Sequence, residues 1–192
     1  LGSDLIGSTV QVTFSTGQVQ TGALVVDPAD ITGAIYQPDS NTIGMGDGIS
    51  ITASDTSTLL SGQIRNNSIT DFGGNGISLQ ANDSAVIQNQ IIRNNTISDN
   101  GQNGGAGGPD FGISLGTNGA TAQLAAEIMN NTIERNAGGA LNIDAQGGTI
   151  SVSQFAANTV DDNGAGVLIN AESGASVDVR ITSNSITDSV MN

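Results

Sequence analysis

The sequence predicts an all-β protein, a right-handed, single-stranded parallel β-helix of about six coils with an N-terminal cap of hairpin-like strands. The first observation is a triplet, Asn-[Thr/Ser]-[Ile/Val], that occurs six times at intervals of 26, 28, 36, 27 and 26 residues. Repeats of about 20 to 50 residues are typical of solenoids. The second is an alternation of aliphatic and polar residues after the triplets, which indicates strands with one buried face. The triplets begin at Asn41, Asn67, Asn95, Asn131, Asn158 and Asn184.

A bend is expected at each triplet Asn. In five of the six repeats an apolar residue stands three positions before the Asn, five residues from the Ile or Val that follows it. Two residues at an odd separation cannot face the same side of one continuous strand. Asn tolerates the left-handed backbone angles of a bend, and its amide can bond to a neighbouring coil about 4.8 Å away. The sequence therefore predicts a ladder of stacked Asn side chains.

Three short strands are expected in each coil. One strand follows the triplet, as in Gly76-Ile77-Ser78-Leu79, and another precedes the bend, as in Val177-Asp178-Val179-Arg180-Ile181. The stretch from Ala122 to Met129 has good helical propensity, but its place in the repeat is that of the strand before the bend. We therefore expect a strand there. The alternative for the whole chain is an antiparallel sandwich, which would not require a constant coil length.

Residues 1–30 lie outside the repeat and form the predicted cap, whereas residues 31–192 form the predicted β-helix. Val10–Phe14 and Val19–Val26 are expected to be two strands joined by a turn. At the other end, the chain stops six residues after Ile186 without a capping segment. We expect that the native protein continues or that this end meets another subunit. The expected partners are therefore other copies of the chain or further β-helix of the parent protein.

The unit [Ile/Phe]-x-x-Asn-[Thr/Ser]-[Ile/Val], followed by Gly-Ile-x-Leu, resembles the parallel β-helix repeats of the pectin-lyase-like superfamily over residues 31–192. Enzymes of that superfamily degrade or epimerise acidic polysaccharides. The resemblance implies carboxylates around Ca²⁺ with an Arg or Lys base for lyases, and three Asp with a Gly-His-Gly and an Arg-Ile-Lys segment for hydrolases. This chain contains neither His nor Lys, and its Asn158-Thr159-Val160-Asp161-Asp162 and Arg180-Ile181-Thr182 match only superficially. Hydrolase chemistry is not expected.

The charge balance argues against nucleic acid as a partner. The net charge is −14, with no Lys and four Arg, so a phosphate backbone would be repelled. No apolar run approaches the roughly 20 residues of a membrane span, so membrane insertion is not expected.

A column of acidic residues is the candidate metal site. Asp71, Asp99, Asp162 and Asp188 each follow a triplet Asn by four residues, and Arg135 holds that place on the coil between Asp99 and Asp162. Carboxylates on neighbouring coils would repel each other by about 1 kcal/mol in water. One hypothesis is Ca²⁺ bound between Asp71 and Asp99. The other is a set of solvated surface acids.

The 36-residue coil contains a Gly-rich insertion at residues 101–109. Insertions at solenoid turns are where binding residues are usually found, although such a loop can also have no ligand. Phe72 and Phe111 flank the neighbouring turns, and Asp110 adjoins the insertion. These three residues are the candidate ligand-binding residues, with a carbohydrate ring on the aromatic side chains as the candidate ligand. The alternative for Phe111 is that it packs inward.

The predicted function is non-catalytic. We expect a structural or adhesive segment of a secreted or cell-surface bacterial protein, acting as a stalk, an adhesin module or a filament subunit. It requires no cofactor, and Ca²⁺ is the only candidate. The alternative is a fragment of an extracellular polysaccharide-acting enzyme such as a lyase.

Overall fold

The computed structural model describes residues 10–13, 19–22, 46–102, 110–172 and 174–189. Within these ranges every regular element is a β-strand, and the strands form a parallel solenoid of about five coils. The predicted fold class is confirmed. The predicted sixth coil contains Asn41, which lies outside the described residues. None of the described elements is a helix with the length and apolar character needed to cross a membrane.

Three parallel sheets run along the solenoid. The first contains β3 Ile49–Ala53, β7 Ile77–Asn82, β10 Phe111–Asn118, β13 Gly139–Gln146 and β16 Val167–Glu172. The second contains β4 Thr58–Leu59, β5 Gly62–Arg65, β8 Val86–Arg93, β11 Gln123–Met129, β14 Thr149–Ala156 and β17 Ser176–Thr182. The third contains β6 Ser68–Thr70, β9 Thr96–Ser98, β12 Thr132–Glu134, β15 Thr159–Asp161 and β18 Ser185–Thr187. Each coil therefore contributes strands to all three sheets, as predicted.

The register of the strands places like residues above one another. Ile113 pairs with Ile77 on one side and with Leu141 on the other, and all three are fully buried. The same alternation fills the interior from the second and third sheets, where Ile92, Ile128 and their neighbours are also fully buried. Because the core is built almost entirely from stacked aliphatic columns, the chain needs very few aromatic residues.

The segment with helical propensity is a strand. Residues 123–129 form β11, whose inward side chains Leu124, Ala126 and Ile128 are buried. Burial of this face in the core and pairing of β11 with β8 and β14 outweigh the local helical preference of Ala, Leu and Glu. The prediction made from the repeat position is confirmed.

The N-terminal strands pair as a hairpin. β1, Val10–Thr13, and β2, Val19–Gly22, are antiparallel, and β1 lies next to β3 of the first coil. Residues 14 and 23–26 of the expected strands lie outside the described ranges. The cap and the domain division at residue 30 stay predictions.

One expectation about the bend was wrong. The triplet Asn does not adopt the left-handed conformation; the residue before it does, with φ between 53° and 59°. The side-chain amide of the triplet Asn instead points along the stack of coils. The change in chain direction occurs at the residue before it, which has the positive φ. The left-handed residues are Asn66, Asn94, Asn130, Ala157 and Ser183.

Candidate functional site

The predicted ladder connects the described triplet Asn residues. Asn131 Nδ2 donates to Asn158 Oδ1 at 3.1 Å and to the carbonyl of Ile92 at 3.0 Å. The backbone N–H of Asn131 also donates to Asn158 Oδ1, at 2.9 Å. The same pattern of bonds links Asn67 to Asn95, Asn95 to Asn131, and Asn158 to Asn184. The ladder is confirmed for these five residues.

A second ladder, which the sequence interpretation missed, runs parallel to the first. Asn100 Nδ2 donates to Asn136 Oδ1 at 2.8 Å, and Asn136 Nδ2 donates to Asn163 Oδ1 at 2.9 Å. All three side chains are buried. The available signal was an Asn five residues after the triplet Asn in three successive coils. The two ladders therefore bracket the short strands of the third sheet.

The acidic column lies just outside the second ladder. Asp71, Asp99, Asp162 and Asp188 all have left-handed backbone angles, as does Arg135, with φ between 46° and 62°. Each residue follows a three-residue strand of the third sheet, where the chain turns. Asp tolerates this conformation better than most residues, which gives the repeated Asp a conformational reason independent of metal binding.

Arg135 neutralises part of this column. Its Nε donates to Asp99 Oδ1 at 2.8 Å and its Nη2 to Asp99 Oδ2 at 2.9 Å. The Nη1 atom of Arg135 lies 2.8 Å from Glu134 Oε1. The hydrogen bonds from Arg135 lower the pKa of Asp99. Arg135 therefore relieves the carboxylate repulsion that the sequence indicated.

The calcium prediction is weakened by these contacts. Both oxygens of Asp99 are bonded to Arg135, and the hydroxyl of Thr70 donates to Asp71 Oδ2 at 3.3 Å. Across the described ranges, no group of three or more His, Cys, Asp or Glu residues is arranged to hold a metal ion. The Ca²⁺ site between Asp71 and Asp99 stays a prediction.

An open groove of about 430 Å³ lies beside the Arg135 ion pair. Its lining includes Asp99, Gln102, Arg135 and Asp162. The groove offers hydrogen-bond donors and acceptors but no aromatic ring, so it can make polar contacts with a ligand and no ring stacking.

The predicted ligand-binding residues occupy different environments. The Phe72 and Phe111 side chains are only 4% and 6% exposed, so neither presents a ring face to a ligand. Asp110 is partly buried. Burial raises its pKa, and the Asp47 carboxylate adds to this effect. Phe72 belongs to the hydrophobic core cluster, and the Phe111 ring lies against Gly139 of the next coil. Ligand binding at this turn stays a prediction.

Comparison with known proteins identifies the architecture. A sequence model of the family described as "Right handed beta helix region" matches residues 35–190. No curated protein and no solved structure gives a significant match.

Proposed function

The chain belongs to the right-handed β-helix region family, and on that basis we propose that it is a non-catalytic structural segment of a secreted or cell-surface bacterial protein. A stalk, an adhesin module and a filament subunit are the forms that this role can take. The observation that supports the proposal is the pair of Asn ladders, because their polar side chains point into the solenoid and bond to one another. They stiffen the stack instead of facing a substrate.

The charged residues best placed for chemistry also bond to one another. A polysaccharide lyase needs a base that can lose its proton, and Arg135 beside Asp99 and Asp162 is the group that most favours this alternative. The hydrogen bonds from Arg135 to Asp99 and Glu134 raise the pKa of Arg135 above its already high ordinary value. Because a base must release its proton near the working pH, this ion pair argues for a structural role.

We also propose that the C-terminal face packs against a further β-helical coil. Ile169, Ile181 and Ile186 occupy inward columns, yet they are 43%, 43% and 46% exposed. Strands β16, β17 and β18 lie at the ends of their three sheets. Another coil with the same repeat would cover these side chains and accept the backbone hydrogen bonds of all three strands.

An activity assay tests the structural role. The purified chain is incubated with alginate, polygalacturonate and a neutral glucan, with and without Ca²⁺. Reducing ends and the absorbance of unsaturated products are then measured. We expect no turnover. Turnover that is lost in Arg135→Ala, while Arg180→Ala retains it, would establish the lyase alternative instead.

The stacking proposal needs a separate measurement. Sedimentation velocity over a wide concentration range would detect end-to-end assembly, and Ile186→Asp should abolish it by placing a charge on the packing face. The outward-facing Asp178→Asn is the matched control. A chain that remains monomeric and equally stable with either substitution would contradict the proposal.

A further inference from the structure

Three exposed Asn residues form a column at the bend between the second and third sheets. They are Asn66, Asn94 and Asn130, which directly follow strands β5, β8 and β11. The last residues of these strands pair in register, so the three Asn residues lie above one another at intervals of about 4.8 Å. Among the described residues, their side chains bond to no other group. These three residues are the outer Asn column.

Each Asn of the outer column begins an Asn-x-Ser/Thr motif, the acceptor sequence of N-linked glycosylation. The motifs end at Ser68, Thr96 and Thr132, the first residues of β6, β9 and β12, and their middle residues are ladder Asn residues. None of these three residues is buried, and within the described ranges none of their hydroxyl groups forms a hydrogen bond. Both groups that define a glycosylation acceptor, the Asn amide and the hydroxyl, are therefore free at the surface.

The bend itself does not require Asn at this position, although Asn favours its left-handed conformation. Ala157 and Ser183 hold the same place in the two following coils, with φ of 53° and 57°. The ladder does not require it either, because the ladder bonds come from the next residue of each motif. A free amide that recurs in three successive coils without being needed by the bend or the ladder points to modification of that amide.

We propose that Asn66, Asn94 and Asn130 are attachment sites for N-linked glycans, which are carried on alternate coils only. The inference rests on the proposed secreted or cell-surface role, because N-linked glycans are typical of the surfaces of secreted proteins. A glycosyltransferase catalyses the step, and the donor is a sugar linked through its anomeric carbon to a diphosphate group. The Asn Nδ2 forms a bond to the anomeric carbon and releases one proton. The anomeric C–O bond breaks, and its electron pair leaves with the diphosphate.

The spacing of the coils determines which sites can be occupied together. Neighbouring residues of the outer Asn column are about 4.8 Å apart, whereas Asn66 and Asn130 are about 9.6 Å apart. The stem of an N-linked glycan is a sugar ring with hydroxyl groups and bound water around it, which is wider than one coil interval. Two glycans therefore collide on adjacent coils but fit on alternate ones. The folded chain carries glycans on Asn66 and Asn130 together, or on Asn94 alone.

A fourth motif of the same type, Asn82-Asp83-Ser84, provides an internal control. Asn82 is the last residue of β7, and its Nδ2 donates to Ser54 Oγ of the preceding coil at 3.3 Å. Its Oδ1 accepts from Gln80 Nε2 at 3.1 Å. Because this amide is already bonded on both sides, we expect no glycan on Asn82.

Mass spectrometry of the modified chain tests the proposal in two arms. In the first, a eukaryotic host secretes the chain, with a lipid-linked diphosphate as the donor. In the second, the purified folded chain is incubated with a soluble N-glycosyltransferase and UDP-glucose. Peptide mapping identifies the modified Asn residues, and the intact mass gives the number of glycans on one molecule. We expect modified Asn66 and Asn130 and unmodified Asn82 in the first arm, and modification in only one arm would identify the class of donor.

Two results would overturn the proposal. One is an outer Asn column that stays unmodified in both arms, and the other is a secreted, folded molecule with glycans on adjacent coils. A well-folded chain without glycans would contradict this inference alone, because the activity and sedimentation measurements test the structural role separately.

The exclusion between neighbouring coils is tested with variants that leave every Asn in place. Ser68→Ala combined with Thr132→Val removes the first and third motifs of the column, and the occupancy of Asn94 in the secreted chain should then rise severalfold. Ser68→Thr combined with Thr132→Ser is the matched control, because it keeps both motifs. Circular dichroism of each secreted variant checks that it is folded. An equal occupancy of Asn94 in the two double variants would overturn the exclusion.

Discussion

Asn131 Oδ1 accepts two hydrogen bonds from Asn95, one from the backbone N–H and one from Nδ2, both at 3.0 Å. The next Asn in the stack repeats this geometry. In the middle of the ladder, the side chains of Asn95, Asn131 and Asn158 each bond to the backbone of the preceding coil, while their own backbone N–H groups donate to the Asn of the following coil. Adjacent coils are held in a single register by these bonds, which sheet pairing alone would specify less strongly.

Replacing Asn131 with Ala should strongly destabilise the protein. The backbone N–H of Asn95 and the carbonyl of Ile92 would lose their buried partner. We expect a loss of about 3 kcal/mol in the free energy of unfolding and a Tm lower by roughly 6 to 12 °C. Asn142→Ala is the control, because Asn142 points outward from β13. Calorimetry should show little change for Asn142→Ala, and equal losses in the two variants would contradict a special role for the ladder.

The columns of the fold could be predicted because each coil repeats the same spacing. Ile77, Ile113 and Leu141 follow that spacing and stack as expected. The left-handed residue of the bend could not be assigned in the same way. Asn66, Ala157 and Ser183 share this conformation without sharing a side chain. The stacked coils on either side impose this backbone conformation, so it cannot be predicted from the type of residue at the position.

The candidate site was less predictable than the fold. The sequence placed Asp99 and Arg135 in one column, but not the two hydrogen bonds between them. Phe72 was expected to offer its ring to a ligand and Phe111 either to do so or to pack inward, and both side chains are buried. Side-chain direction at a turn depends on the exact backbone angles, which hydrophobic alternation does not determine.

Replacing Arg135 with Gln should raise the pKa of Asp99 toward its ordinary value. Because the pKa of Asp99 is lowered in the folded protein, its contribution to stability is present above the unfolded value of about 3.9 and is lost as pH falls through the folded value. The pair is partly exposed, so we expect less than about 1 kcal/mol of destabilisation at pH 7, decreasing with salt. Carboxyl ¹³C NMR would measure the pKa. Arg180→Gln should leave it unchanged, and the same result for Arg135→Gln would contradict the ion pair.

Removal of Ca²⁺ should not change the Tm. Both Asp99 oxygens bond to Arg135, so a cation between Asp71 and Asp99 would have to displace the guanidinium. Thermal unfolding with excess Ca²⁺ and with a chelator tests this expectation. A saturable increase in Tm with Ca²⁺ that disappears in Asp71→Asn would instead support the metal site.

Replacing Asp110 with Asn should stabilise the protein at neutral pH. Burial and the Asp47 carboxylate raise the pKa of Asp110, so the folded state binds its proton more tightly than the unfolded state does. The resulting penalty appears as pH rises above the unfolded value of about 3.9 and is absent well below it. We therefore expect a higher Tm for Asp110→Asn at pH 7 and a much smaller difference at pH 3. Asp178→Asn removes the same charge from an exposed position. An equal increase in Tm for Asp178→Asn would mean that the change in net charge alone explains the effect.

Replacing Gly112 with Ala should be costly, whereas the equivalent change at Gly166 should be tolerated. A Cβ at Gly112 would lie 2.5 Å from Ile133 Cγ2 and 3.1 Å from the carbonyl oxygen of Ala140 on the next coil. At Gly166 the nearest atom is Ile186 Cγ2, at 3.4 Å. Neither glycine has a positive φ, so the difference is steric.

We expect Gly112→Ala to lower the free energy of unfolding by about 1 to 3 kcal/mol, and Gly166→Ala by less than about 0.5 kcal/mol, measured by urea denaturation. Equal losses of unfolding free energy in the two variants would mean that the atoms around Gly112 move aside at little cost.

The Gly166 variant also tests the proposed stacking face, because a further coil would add a backbone carbonyl beside Gly166. Gly166→Ala should therefore weaken end-to-end assembly while leaving the monomer intact, as long as that coil packs in the same register as the five described here.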